Sequence, residues 1–99
     1  MPEALARLER ELVVARQRAD SLLKIVHGYG STGEGGDIRI AVQKRLRELA
    51  DAGEIRGCIF GEEWSRTSDA TWRLVQAHPD LKKDADLGRG NCGITIVML

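Results

Sequence analysis

Amphipathic helical segments alternate with short apolar segments along this chain of 99 residues, and this alternation constrains the fold more than any other feature. Leucines and alanines at helical spacing predict a first helix from Glu3 to about Arg18. A second helix is predicted to begin at Asp37, a residue type that caps helices, and to end near Gly53.

Three apolar segments are too short for helices and predict β-strands. They are SLLKIVHG, IRGCIFGEEW and GITIVML, at residues 21–28, 55–64 and 93–99. Helices alternating with such strands predict one α/β domain over residues 1–99. We expect a two-layer sandwich in which helices cover a small mixed sheet.

Residues 65–89 lie between the second and third predicted strands, and we call them the inserted segment. It contains a third predicted helix, which starts at residue 68 or 69 and runs through residue 76. Trp64 and Trp72 flank or lie in this segment, and we expect both rings to bury its helix against the domain.

The charge balance limits the function. Fifteen acidic and fifteen basic side chains cancel, so nucleic-acid binding would have to rest on a local patch. No apolar run approaches the roughly 20 residues that span a membrane, and the charged first segment is unlike a signal peptide. We therefore expect a cytoplasmic chain with no membrane partner. Cys58 and Cys92 are expected to be reduced core residues, with a metal site or redox pair as the alternative.

The glycine-rich stretch HGYGSTGEGGDIR, residues 27–39, contains a literal G-x-G-x-x-G. A phosphate-binding P-loop needs Lys and then Ser or Thr where this chain has Gly36 and Asp37, so we reject that interpretation. The dinucleotide fingerprint needs a helix that begins inside the motif, and here the helix is predicted to begin only at Asp37. What remains is a loop whose amides could hold an anion at a helix start, or a surface turn without a ligand.

Two stretches of this chain resemble the Smr (small MutS-related) domain. KIVHGYGSTGEGGDIRIAVQKRL is similar to its central motif, and the closing NCGITIVML is similar to its final strand. The resemblance implies a β-α-β-α-β-β arrangement similar to the C-terminal domain of translation initiation factor three. It also implies nucleic-acid binding and, in several members, nicking or cleavage. Compared with the minimal domain of the family, residues 65–89 are an insertion between strands. On this basis His27, Gly28 and Gly30 occupy the H-G-x-G positions, and Arg39 is the arginine at the helix start.

The family's first strand carries an L-D-x-H-G turn that is tied to nuclease activity, and nothing before Pro2 supplies it. A sheet without that strand would expose a row of unpaired backbone groups, which favours pairing with another chain. We therefore expect either a homodimer through the exposed sheet edge or a start codon placed too late in the gene.

The predicted phosphate-binding set combines the loop with nearby cations. Its members are His27, Gly28, Tyr29, Gly30, Gly33, Arg39, Lys24 and Lys44. A structural histidine is the alternative for His27, and a solvated helix face is the alternative for Lys44 and its basic neighbours. The Tyr29 ring would either stack on an unpaired base or pack against the loop. Glu62 and Glu63 would point to opposite faces of a strand, so we interpret them as surface residues.

Three functions remain open. The leading one is binding of a DNA or RNA backbone by shape rather than base sequence. The second is a nicking endonuclease in which His27 is catalytic, either with a divalent metal or without one; apart from that case, no cofactor is expected. The third is a protein-interaction module whose inserted segment binds a protein partner or the ribosome.

Overall fold

The computed structural model describes residues 2–28 and 37–99 of the chain. Three α-helices and three β-strands alternate along these residues. They are α1 (Pro2–Gln17), β1 (Leu22–Val26), α2 (Asp37–Asp51), β2 (Gly57–Phe60), α3 (Asp69–Ala77) and β3 (Ile94–Met98). Two short 3₁₀ turns, Gly61–Glu63 and Pro79–Lys83, lie between β2 and β3. From α1 onward this order matches the arrangement that the resemblance implies, except for α3, which lies in the inserted segment.

The three described strands form one sheet in the order β1-β3-β2. The last strand in sequence is central, and it pairs antiparallel with both neighbours. Lys24 faces Ile96 across one pair, and Ile59 faces the same Ile96 across the other. The α/β prediction is confirmed, but the mixed pairing is not found among the described strands. Because both edge strands run opposite to β3, they run in the same direction as each other.

Helices cover both faces of this sheet, because β3 buries alternate side chains on opposite sides. Val97 belongs to a core formed with α1 and α2, whose buried members are Leu8, Leu12, Ile25, Val42, Leu46, Leu49, Ile55 and Val97. Ile94 and Ile96 belong to a second core on the α3 side, whose buried members are Ile59, Trp64, Leu74, Val75, Ile94 and Ile96. The inserted segment thus forms a third layer, where the sequence predicts a two-layer sandwich.

The two tryptophans of the chain have different environments. Trp64 is fully buried, and its indole Nε1–H donates to Asp84 at 3.0 Å. It therefore anchors the inserted segment to the sheet, as predicted. Trp72 is 51% exposed, so the expectation that it is buried is wrong. The reason is its position on α3, where Thr71, Leu74 and Val75 form the buried face.

None of the described helices combines the length and the apolar composition needed to cross a membrane.

Candidate functional site

The ends of three strands meet at one end of the sheet. Because β1 and β2 are parallel to each other, their carboxyl ends lie at the same edge, and the start of β3 lies there too. His27 directly follows β1, and Glu62 lies in the 3₁₀ turn that follows β2. Arg39 lies in the first turn of α2, which leads away from the same region. We call this group the sheet-end site.

The backbone turns sharply where β1 ends. The amides of His27 and Gly28 both donate to the carbonyl of Gly93, each at 3.0 Å. Gly28 has a φ of +78°, a left-handed conformation that glycine adopts without strain. This shared hydrogen bond fixes the direction in which the chain leaves the sheet.

The imidazole of His27 is half-buried and held by both ring nitrogens. Nδ1 lies 2.6 Å from the carbonyl oxygen of Gly28, which can only accept, so Nδ1 carries the proton. Nε2 lies 3.0 Å from Oγ1 of Thr95, a fully buried residue of β3, whose hydroxyl donates to the neutral ring. Burial lowers the pKa of His27 below its usual value of 6.5, so the ring is neutral at pH 7.

Glu62 connects the other polar groups of the sheet-end site. It accepts a hydrogen bond from Nε2 of Gln43 at 2.8 Å and pairs with Arg39 at 3.4 Å. Partial burial opposes ionisation of Glu62, but hydrogen bonds from Gln43 and Cys92 outweigh it and lower the pKa of this carboxyl. Burial and the same carboxylate raise the pKa of the Cys92 thiol, which stays protonated at neutral pH.

Two arginines flank the imidazole. Arg39 and Glu62 both lie close enough to His27 to act on its pKa, the arginine lowering it and the glutamate raising it. Arg7 of α1 and His27 line the same cavity, which has a volume of about 40 Å³. Arg7 is exposed and pairs with Glu11 at 3.3 Å. Neither Arg7 nor Glu62 belongs to the phosphate-binding set predicted from the sequence.

The structure brings together His27, Gly28 and Arg39 of the predicted set, with one change of role. Because the Gly28 amide is bonded to the Gly93 carbonyl, it is not free for an anion, and its predicted role as an amide donor is wrong. Tyr29, Gly30 and Gly33 lie outside the described residues.

The two predicted lysines lie elsewhere. Lys24 faces the α3 side of the sheet, where its Nζ pairs with Asp84 at 2.8 Å and with Asp86 at 2.5 Å. Its assignment to the phosphate site is therefore wrong, because Lys24 lies on the α3 side of the sheet, whereas His27 bonds to Thr95 on the α1–α2 side. Lys44 is exposed on α2, five residues beyond Arg39 and so about 140° around the helix from it. It does not belong to the sheet-end site.

Within residues 2–28 and 37–99, no three side chains of the kinds that ligate metals come together.

Comparison with known proteins adds no identification. No protein-family model matches the chain, and neither a curated protein nor a solved structure matches it. The resemblance to the Smr domain therefore rests on the motifs of this sequence.

Proposed function

We propose that this chain is an Smr-like domain that binds the sugar–phosphate backbone of DNA or RNA at the sheet-end site. The observation that carries the proposal is the meeting of His27 and Arg39 beside the start of α2. A helix start attracts anions, and arginine binds phosphate oxygens through two parallel N–H groups. Contacts of this kind hold a nucleic acid by its shape and charge rather than by its base sequence.

Arg39 can change partners at small cost. Its ion pair with Glu62 is long, at 3.4 Å, and the two side chains are 32% and 34% exposed. Pairs this exposed contribute about 0–1 kcal/mol because water screens them. Glu62 would keep its hydrogen bond from Gln43 when Arg39 turns to a phosphate. In the absence of nucleic acid, Arg39 is therefore paired with Glu62, and a bound phosphate would replace Glu62 as its partner.

His27 adds a pH-dependent component. In the neutral ring both nitrogens are already engaged, by Gly28 and by Thr95. A phosphate near the ring favours the protonated form through its charge, and in that form Nδ1 donates to Gly28 and Nε2 donates to Thr95. Affinity should therefore increase as the pH falls below 6.5, the usual pKa of histidine.

The nicking endonuclease is the second candidate, and one observation favours it. A general base must be unprotonated: burial keeps His27 neutral at pH 7, and Nε2 would act as the base after exchanging its bond to the Thr95 hydroxyl for one to the attacking water. On this alternative, supercoiled plasmid would be nicked by the wild type, with or without magnesium, and not by His27→Ala. Binding without nicking would refute the endonuclease and leave backbone binding as the function.

The cytoplasm is the location that we propose for this function. Cys58 and Cys92 are both free thiols, as is usual for chains in a reducing compartment.

Fluorescence anisotropy with a labelled 20-base-pair duplex tests the proposal. Arg39→Glu should weaken binding about tenfold and reduce the salt dependence by about one counterion. Arg56→Glu is the matched control, because Arg56 is exposed just before β2, at the opposite end of that strand. Equal losses in the two variants would show only a general charge effect and would contradict the proposed site.

A further inference from the structure

A second candidate site lies in the inserted segment, on the side of α3 next to the 3₁₀ turn Pro79–Lys83. It is a cavity of about 220 Å³, which we call the Trp72 pocket, and it is lined by Arg66, Thr71, Trp72, Val75, Lys82 and Leu87. Sites for drug-sized ligands are larger, roughly 300–1,000 Å³. The Trp72 pocket therefore fits a single ring system.

The Trp72 ring is not needed to fill the core. Trp64 performs that function on the same side of the sheet, and α3 buries Thr71, Leu74 and Val75 instead. Trp72 remains 51% exposed, and its indole N–H donates to no other residue in the described part of the chain. An exposed aromatic face beside a cavity offers a flat apolar surface on which another ring can stack.

The ionisable groups that line the Trp72 pocket are both cations. Arg66 and Lys82 are exposed, and neither forms an ion pair with another described residue. Two carboxylates of the same segment, Asp84 and Asp86, are turned towards Lys24 on the sheet and are occupied there. The lining of the pocket therefore carries two cations and no carboxylate beside the exposed ring.

We propose that the Trp72 pocket binds one unpaired nucleobase, which stacks on Trp72 while the adjoining phosphates contact Arg66 and Lys82. Aromatic platforms with flanking cations hold single strands in this way, and they tolerate any base because every base has a flat face. The bases of a duplex are already stacked and paired, so they cannot enter. The proposal rests on the nucleic-acid function above and adds a preference for unpaired strands.

The two sites can be tested separately because they lie on opposite sides of the sheet. The His27 imidazole bonds to Thr95 on the α1–α2 side, whereas Trp72 belongs to the α3 layer. Loss of Arg39 should weaken binding of duplex and single strand alike. Loss of Trp72 should weaken only the single strand.

The experiment compares a labelled ten-base oligothymidine with a ten-base-pair duplex by anisotropy. Trp72→Ala should weaken oligothymidine binding about tenfold and leave duplex binding unchanged, and Trp72→Phe should keep most of the affinity. Val13→Ala is the matched control, because Val13 is a helical apolar side chain of similar exposure, 50%, on α1. Circular dichroism confirms that each variant is folded, which is expected because Trp72 is outside the core.

Each outcome decides at least one of the two proposals. If Arg39→Glu weakens binding and Trp72→Ala does not, the Trp72 pocket is refuted and the sheet-end site stands. If only Trp72→Ala weakens binding, the sheet-end site is refuted instead. If poly-glutamate displaces oligothymidine from the wild type and from Trp72→Ala equally well, the pocket is a non-specific anion site and the stacking proposal is overturned. If the wild type binds neither strand, both proposals are overturned.

Discussion

The side chain of His27, which directly follows β1, is hydrogen-bonded to the side chain of Thr95 in β3. Nε2 of the imidazole lies 3.0 Å from the buried hydroxyl oxygen. Thr95 is fully buried in the central strand. The pair holds the imidazole in one orientation at the sheet end, next to the arginine that we propose to bind phosphate.

Replacing Thr95 with valine keeps the shape of the side chain and removes the hydroxyl. We expect Thr95→Val to lower the free energy of unfolding by about 1 kcal/mol at pH 7.5, because Nε2 loses its donor. In a His27→Ala background the same substitution should cost nearly nothing, since the partner is already absent. Urea unfolding of the two single variants and the double variant measures the coupling. Equal costs in both backgrounds would contradict the bond.

The pH dependence of stability should also report His27. Its pKa in the folded chain lies below the 6.5 of an ordinary histidine, so between these values the unfolded chain binds more protons. The contribution of the neutral His27 ring to the free energy of unfolding is therefore fully present above pH 6.5, and it is lost as the pH falls through this window. The carboxyls of Glu62 and Asp84 also have lowered pKa values, but the stability that they contribute is lost only at lower pH, below their usual pKa values of 4.5 and 3.8.

The non-titrating variant His27→Gln should lose less stability than the wild type between pH 7 and pH 5. Thermal unfolding across this range provides the comparison. Parallel profiles would mean that the ring is not held in its neutral form.

Gly61 is required by a close backbone contact at the sheet-end site. A Cβ at this position would lie 1.7 Å from the carbonyl oxygen of Asn91, and the backbone on both sides would have to move. Gly61→Ala should therefore lower the free energy of unfolding by at least about 3 kcal/mol. Gly53→Ala is the control: its φ is +77° but its surroundings are open, so the cost should be about 1 kcal/mol. Similar costs in urea unfolding would contradict the close contact.

The homodimer expected from the sequence stays a prediction, and the register of β1 shows how to test it. The carbonyl of Ser21 and the amide of His27 both bond towards β3. By the alternation of an antiparallel pair, the backbone groups of Leu22, Lys24 and Val26 point to the open edge. A second copy pairing there would need the amide of Val26.

Val26→Pro removes that amide without removing a bond to β3, and Val26→Ala keeps it. Sedimentation velocity should show a concentration-dependent dimer for the wild type and for Val26→Ala, and a monomer for Val26→Pro. A wild type that stays monomeric at every concentration would refute the dimer.

Much of the fold follows from local patterns. The start of α2 at Asp37 and the three strand positions were predictable, because apolar spacing reports which side chains are buried. The second strand was predicted to reach Trp64 but ends at Phe60, and Glu62 and Glu63 form a 3₁₀ turn. Local composition could not distinguish a strand from this turn, because the close approach of Gly61 to Asn91 is a tertiary contact.

The sheet-end site was predictable only in part. His27 and Arg39 flank one loop, so the sequence places them together. Glu62 joins them only because β1 and β2 run in the same direction on either side of β3, and strand order is not a local property. The position of Lys24 follows from the sequence, because it lies three positions before His27 and an odd spacing places two side chains of extended backbone on opposite faces.

Titration of the His27 imidazole by NMR, with and without a short duplex, tests the central claim most directly. A phosphate bound beside the ring favours its protonated form, so the pKa of His27 should rise by about one unit when duplex is added. The resonances of His78, which lies on the α3 side and is the other histidine of the chain, serve as the internal reference. If duplex binds and the pKa of His27 does not move, the backbone is held elsewhere and the sheet-end site is not the binding site.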